Sequence, residues 1–349
     1  MSITLDTLTR RYGATPAVDA LSADIPTGCF FTVLGPSGCG KSTLLRMIAG
    51  LEPVDAGTIA LQGRRVAGPG LHVAPEARGV GVVFQSYALW PHMDVLGNVA
   101  FPIEAAGTPR RTARAAADDH LASVDLAGFG ARRPADLSGG QRQRVALARC
   151  LAARARVVLM DEPLANLDPH LRAAMEHEMA AFHARAGATT LFITHDQREA
   201  MALSDLVAVM RAGRFEQVAP PQVLHDRPAN GFVAGFIGRG VVLPCTVTGV
   251  SPGAARVALA PGLEFDARAD AAVAGPAAVL IRPGDLRVDE AGTPARVVSC
   301  TYRGDHWEAQ VTLSGHAALL SLPQRAQPGD SLPVAISGGW TCPGLLSGA

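Results

Sequence analysis

Residues 30–51 read FFTVLGPSGCGKSTLLRMIAGL. FFTVLG predicts a short apolar strand and KSTLLRMIAGL a helix, so GPSGCGKST (35–43) sits between strand and helix, the context in which G-x-x-x-x-G-K-[ST] carries meaning. Gly35, Gly38 and Gly40 let backbone amides curl around phosphate oxygens, and the new helix points its positive end at them. In that arrangement Lys41 reaches the β- and γ-phosphates of a nucleotide. Ser42 offers its hydroxyl to Mg²⁺ and Thr43 touches the α-phosphate side. Pro36, Ser37 and Cys39 complete the loop, with Cys39 filling space. The plainer reading, a glycine-rich structural turn, does not account for the strand before it and the helix after it.

Outward from this loop the same alternation continues. RVVLMDEP (156–163), TTLFITH (189–195) running into DQREAMALSD, and LVAVMRAGR (206–214) are short apolar strands separated by helical stretches. Fully apolar strands are expected where helices cover both faces of a parallel sheet, which predicts a doubly wound α/β domain over residues 1–237. After GFVAGFIGRG (231–240) the segments become short, valine-rich and separated by Pro-Gly, Gly-Asp and Ser-Gly signals. Residues 238–349 therefore predict a small all-β barrel or sandwich.

Composition bounds the class. At 349 residues two domains are expected. Lys plus Arg is 31 and Asp plus Glu is 31, a balance that argues against a sequence-independent nucleic-acid binder, so no nucleic-acid partner is expected. The apolar stretch 271–281 is closed by Asp270 and Arg282 and holds a Gly-Pro, so no segment is expected to span a bilayer. The N-terminus, with Asp6 and no long apolar run, carries no visible secretory signal. Cytoplasmic residence follows as an expectation. The six cysteines, scattered without a C-x-x-C pair, fit reduced thiols better than zinc or disulfides.

Further residues point at the same phosphate. VVLMD delivers Asp161 to a strand end, where a carboxylate holds Mg²⁺, and Glu162 follows as general base or water-positioner. His195 closes the next strand toward the same sheet edge. Gln85, in VVFQSYALWPH, closes another and can report γ-phosphate or metal occupancy. Tyr12 is placed to stack on an adenine, although a surface tyrosine explains it nearly as well. Finally LSGGQRQRVALAR (137–149) puts a helix N-cap, Ser138, ahead of two glycines and of Arg142, Arg144 and Arg149. That is an anion-binding helix end with no anion nearby in the chain.

With these residues in hand the chain resembles the ATP-binding subunit of an ABC transporter. GPSGCGKST matches the Walker A motif, Gln85 the Q-loop, LSGGQ the signature, VVLMDEP Walker B, NLD (166–168) the D-loop, and His195 the switch histidine. The tail, with AAVLIRPGDL (278–286 within it), is similar to the OB-like TOBE domain of importers for ferric iron, polyamines, sulfate, phosphonate or maltose. Two departures stand out: Gly284 where those tails commonly carry Glu, and Ala165 where serine is common.

The resemblance implies a P-loop cassette with a helical subdomain at about 86–150. It implies two copies packed head to tail around two ATP, with Ser138, Gly139, Gly140 and Gln141 facing the γ-phosphate held by the other copy and Asp168 at the same interface. Mg²⁺ would be held by Ser42, Gln85 and Asp161, with Glu162, His195, Gln85 and Lys41 as the catalytic set. Implied partners are two transmembrane permease subunits, docked near Tyr87, Leu89, Trp90 and Pro91, and indirectly an extracytoplasmic solute-binding protein. The place implied is the cytoplasmic face of the plasma membrane. Ferric iron, a polyamine or a phosphonate is the implied cargo; the alternatives are a soluble ABC ATPase uncoupled from transport and an exporter subunit. A GTPase lacks its N-K-x-D motif here, and a kinase has no use for LSGGQ.

Overall fold

The chain opens with two antiparallel strands, β1 (Ile3–Tyr12) and β2 (Thr15–Ile25). Ile3, Leu5 and Leu8 of β1 are buried, and the change of parity between Leu5 and Leu8 is absorbed by a bulge. β3 (Phe30–Leu34), buried at every residue, leads into α1 (Lys41–Ala49). Next come β4 (Ala56–Leu61), β5 (Arg64–Gly68) and β6 (Leu71–His72), which complete a sheet of order β2-β1-β4-β5-β6.

The second sheet holds the site. Its strands are β3, β7 (Val80–Val83), β8 (Val157–Asp161), β9 (Thr189–Thr194), β10 (Leu206–Arg211) and β11 (Arg214–Ala219), in the order β11-β10-β3-β9-β8-β7. All neighbours run parallel except β11 on β10. Val157 to Met160 and Leu191 to Ile193 are buried, which is why they read as unbroken apolar runs instead of alternating ones. Between β7 and β8 the helices α2 (Val95–Ala105), α3 (Arg110–Ala122) and α4 (Gly139–Ala152) form a layer with its own core of Val95, Val99, Leu121, Val145 and Ala148. α5 (Pro169–Ala186) and α6 (Gln197–Leu203) cross between the next strands.

This computed structural model describes residues 1–165 and 169–346, and the chain divides into the units Met1–Pro221 and Gln222–Ala349. The division falls ahead of the boundary expected at 237. α7 (Pro221–Asp226) and α8 (Gly231–Phe236) explain it, because their ends are clasped by a residue of the second unit. Buried Arg282 donates to the carbonyls of His225 at 2.7 Å, Ile237 at 2.9 Å and Arg239 at 3.3 Å.

In the second unit β12 (Val241–Ser251), β13 (Ala254–Ala260), β14 (Leu263–Ala269), β15 (Gly275–Ile281) and β20 (Trp340–Thr341) close a barrel. β16 (Leu286–Tyr302), β17 (Trp307–Leu313), β18 (His316–Leu322) and β19 (Ser331–Ile336) form a four-stranded sheet of order β18-β17-β16-β19. Val257, Phe265, Val279, Val297, Val311 and Val334 share one core across both. The β-rich tail expected from residue 238 onward is thus a barrel extended by a sheet. Among the described residues no helix is long and apolar enough to cross a membrane.

Candidate functional site

The carboxyl ends of β7, β8, β9 and β3 open on one edge of the parallel sheet, where α/β folds of this kind place ligands. Leu34 of β3 lies opposite Thr194 of β9, and Ile193 opposite Asp161 of β8. The glycine loop, the two acids and His195 therefore leave the sheet side by side.

Steric constraint fixes the loop. A Cβ on Gly35 would lie 2.3 Å from the Met210 carbonyl oxygen, and one on Gly40, whose φ is 110°, would lie 2.0 Å from that of Ala17. Glycine is required at both positions. α1 starts after Gly40 with no side-chain cap, so the first-turn amides stay open to an anion. Lys41 is 5% exposed, and its Nζ donates to the carbonyls of Gly35 at 2.8 Å and Pro36 at 3.0 Å. Cys39 is buried behind it, its thiol pushed up by burial.

Ser42 Oγ donates to Asp161 Oδ1 at 3.1 Å. Burial raises the Asp161 carboxyl above its ordinary range; the Ser42 hydrogen bond opposes this and the neighbouring Glu162 charge adds to it. Glu162 has a left-handed backbone, φ 44°, pinned by its N–H donating to Ile193 at 3.0 Å and by its carbonyl accepting from Ala165 at 3.2 Å. Its Oε1 stands 3.3 Å from His195 Nδ1. A cleft of about 390 Å³ is bordered by Tyr12, Ser37, Gly38, Lys41, Thr43 and Glu162. Tyr12 is half exposed there, its hydroxyl bound to Glu52 and its ring 5.2 Å from the Arg10 guanidinium. Gln85, exposed, leaves the same edge just beyond β7. Asp168 lies outside the described residues.

Sequence reasoning missed the network that holds Thr194 and Asp196, the two neighbours of His195. Glu199, 3% exposed, accepts from Thr194 Oγ1, while Arg172 binds Asp196 at 3.2 Å and Glu199 at 3.6 Å. Asp196 caps α6 by accepting from Arg198 N–H at 2.7 Å. An acid within an amphipathic helix gives no signal of its own, so only the packing reveals Glu199.

The LSGGQ segment stands elsewhere. Ser138 is exposed and caps α4, accepting from Gln141 N–H at 3.3 Å while Gln141 Oε1 accepts from Ser138 N–H at 3.0 Å. None of Ser138, Gly139, Gly140 and Gln141 borders the described cleft. The three arginines that follow are engaged inside the fold. Arg142 donates to the Leu137 carbonyl at 2.9 Å, Arg144 pairs with Glu178, and Arg149 reaches the Tyr87 and Ala88 carbonyls. Of the expected docking residues Tyr87 is core, 4% exposed, whereas Leu89 and Trp90 are half-buried and Pro91 is exposed. Phe101, 41% exposed and tilted at 53° against Trp90 with 4.6 Å between centroids, adds an aromatic surface that the sequence reading did not include.

Residues 18–165 match the ABC transporter family and residues 279–339 the TOBE domain. The spermidine/putrescine import ATP-binding protein of Rubrobacter xylanophilus is 45% identical over 87% of this chain and 81% of its own length. The Fe(3+) ions import ATP-binding protein of Rhizobium etli is 42% identical over 88% and 87%. The dimeric post-hydrolysis structure of the ATP-binding cassette MJ0796 bound to ADP and Pi is similar, with 27% identity and a TM-score of 0.55, covering 63% of this chain and 98% of that one.

Proposed function

Because this chain belongs to the ABC transporter family, as an import-type ATP-binding subunit with a TOBE domain, we propose that two copies close around two ATP molecules and that hydrolysis there powers uptake of a small solute through a permease. The observation that carries this is the separation of one anion site into two halves. Lys41, Ser42, Asp161, Glu162 and His195 converge at one sheet edge, while a serine-capped, exposed helix end stands away from the cleft with its arginines already engaged. A two-fold packing of copies completes each half with the other.

In this reading Lys41 exchanges the Gly35 and Pro36 carbonyls for phosphate oxygens. Glu162, fixed by its backbone and by His195, takes a proton from water as the water oxygen bonds to the γ-phosphorus. The bond from that phosphorus to the β–γ bridging oxygen breaks, leaving ADP and inorganic phosphate. Ser42 and Asp161 fit Mg²⁺, because they are hard oxygen donors 3.1 Å apart and burial disfavours the lone Asp161 charge that a cation would balance. Gln85, just beyond β7 on the same sheet edge, would complete that set. When bound, the ion neutralises phosphate charge. Asp168 is assigned to the dimer interface by the D-loop match alone.

The partners in this reading are a second copy, two membrane permease subunits and, through them, a solute-capture protein, with the chain peripheral on the cytoplasmic face. We place the change from cassette to β-rich tail near 237, with α7 and α8 as the helical lead-in that packs with the second unit. For cargo, the relatives support a cationic solute, a polyamine first and ferric iron second. Uptake of radiolabelled spermidine into proteoliposomes holding this chain, its permease and its capture protein, driven by enclosed ATP, is the test. ATP turnover without uptake of spermidine or iron would refute the cargo; turnover without uptake of any solute presented would refute coupling to import.

A further inference from the structure

α4 begins at Ser138 and its last turn carries Arg149. Eleven residues of helix set these about 16 Å apart on one rigid element. The Arg149 guanidinium donates to two successive carbonyls, Ala88 at 2.8 Å and Tyr87 at 3.1 Å, and lies 4.9 Å from the centre of the Trp90 ring. The segment it grips begins at Gln85, is closed by Tyr87 N–H donating to the Phe84 carbonyl at 2.8 Å, and ends in Trp90 and Pro91. Tyr87 and Ala88 are both left-handed, with φ of 63° and 46°, a conformation that β-carbon-bearing residues adopt at a cost.

From the other side Asn98 of α2, fully buried, accepts from Trp90 N–H at 2.8 Å and donates to the Trp90 carbonyl at 3.1 Å. The segment is thus held from two elements, at 87–88 by α4 and at Trp90 by α2. Beneath it the Tyr87 hydroxyl and both polar ends of the buried Gln143 amide have no hydrogen-bond partner among the described residues. Gln143 shares its α4 face, at i+3, i+4 and i+7, with Ala146, Leu147 and Cys150, which pack in one cluster with Tyr87. Buried polar groups left unmade cost free energy that another arrangement of the same junction recovers. Strain and unmet hydrogen bonds therefore sit together where α4 meets the segment, the condition for an element with two arrangements.

We propose that Arg149 is the positioning residue through which α4 sets the shape of segment 85–91, so that engagement of Ser138 by the opposite phosphate displaces Trp90. This rests on the shared-nucleotide reading above. It assigns to one side chain the link between the trans contact at Ser138 and the aromatic surface of Trp90 and Phe101. Lysine in its place keeps the charge and the stem but lacks the planar fork whose two terminal nitrogens each donate to a different carbonyl and whose flat face lies against the Trp90 ring.

The test uses the full chain labelled with 5-fluorotryptophan, which contains three tryptophans. Trp90→Phe assigns the Trp90 fluorine signal, and Glu162→Gln holds ATP in place. ATP is expected to shift the Trp90 signal in the Glu162→Gln chain. The shift should vanish on adding Arg149→Lys or Arg149→Gln, with ATP-dependent dimers retained on sizing and an unchanged circular-dichroism spectrum and melting transition as the check on folding. An undiminished shift in either Arg149 variant overturns the proposal. So does a Trp90 signal that ATP never moves, or loss of the dimers in both variants, which would make Arg149 a support of α4 itself. Absence of ATP-dependent dimers with Arg149 intact sinks the shared-nucleotide reading, and this proposal with it.

Discussion

Glu162 holds a left-handed backbone at the end of a parallel strand, without the excuse of being glycine. Such a conformation costs on the order of 1 kcal/mol, and the hydrogen bonds to Ile193 and Ala165 hold it there. The result is a carboxylate aimed past Asp161 at His195. Glu162→Gln keeps the shape but not the base, so ATP affinity should stay and hydrolysis fall by about two powers of ten or more; equal turnover would refute the assignment. Asp161 supplies a pH test. Burial raises its carboxyl, so the stability it contributes is complete in acid and is lost as pH rises through its folded-state pKa. Asp161→Asn should therefore raise the unfolding temperature at neutral pH by roughly 1–3 °C, with the gain fading toward acid. Magnesium-dependent turnover should disappear in the same variant. Unchanged melting across the pH range would show that burial there carries no charge penalty. Both acids were legible from their place after an apolar strand, but the left-handed turn was not, because nothing in the residue type Glu announces it.

At the scale of the element, α4 answers the question its arginines raise. A basic helix start reads as an anion site, yet Arg142, Arg144 and Arg149 bind a carbonyl, a carboxylate and the 87–88 segment. What remains exposed at the helix start is the cap residue Ser138. Ser138→Ala should cost about 1 kcal/mol of stability through the lost cap. Ser138→Arg should leave ATP binding to the single chain intact and abolish ATP-dependent dimers on sizing. Dimers that persist would remove the trans role. The capping box was readable from Ser138 and Gln141, since it depends on spacing within one helix turn; the destinations of the arginines were not, because they lie on other elements.

For the whole molecule the shared site makes a distinctive prediction. Chains carrying Ser138→Arg and chains carrying Lys41→Ala should each be inactive alone, whereas mixing them forms heterodimers with one complete site, restoring turnover to at most about a quarter of the parent's. No recovery on mixing would argue that each cleft is completed within its own chain. The sequence by itself determined the strand–loop–helix that needs glycine at 35 and 40, the apolar strands that deliver Asp161, Glu162 and His195, and the change to β-structure in the tail. These rest on local sterics, periodicity and hydrogen bonding between near neighbours. Only the tertiary structure decided that Tyr87 is core while Phe101 is surface, that Glu199 and Arg172 hold the residues on either side of His195, and that Arg282 binds the ends of α7 and α8 within the second unit. Each of those depends on which distant segment fills the space beside a side chain, and that is set by packing across the chain, not by any pattern within a short stretch of it.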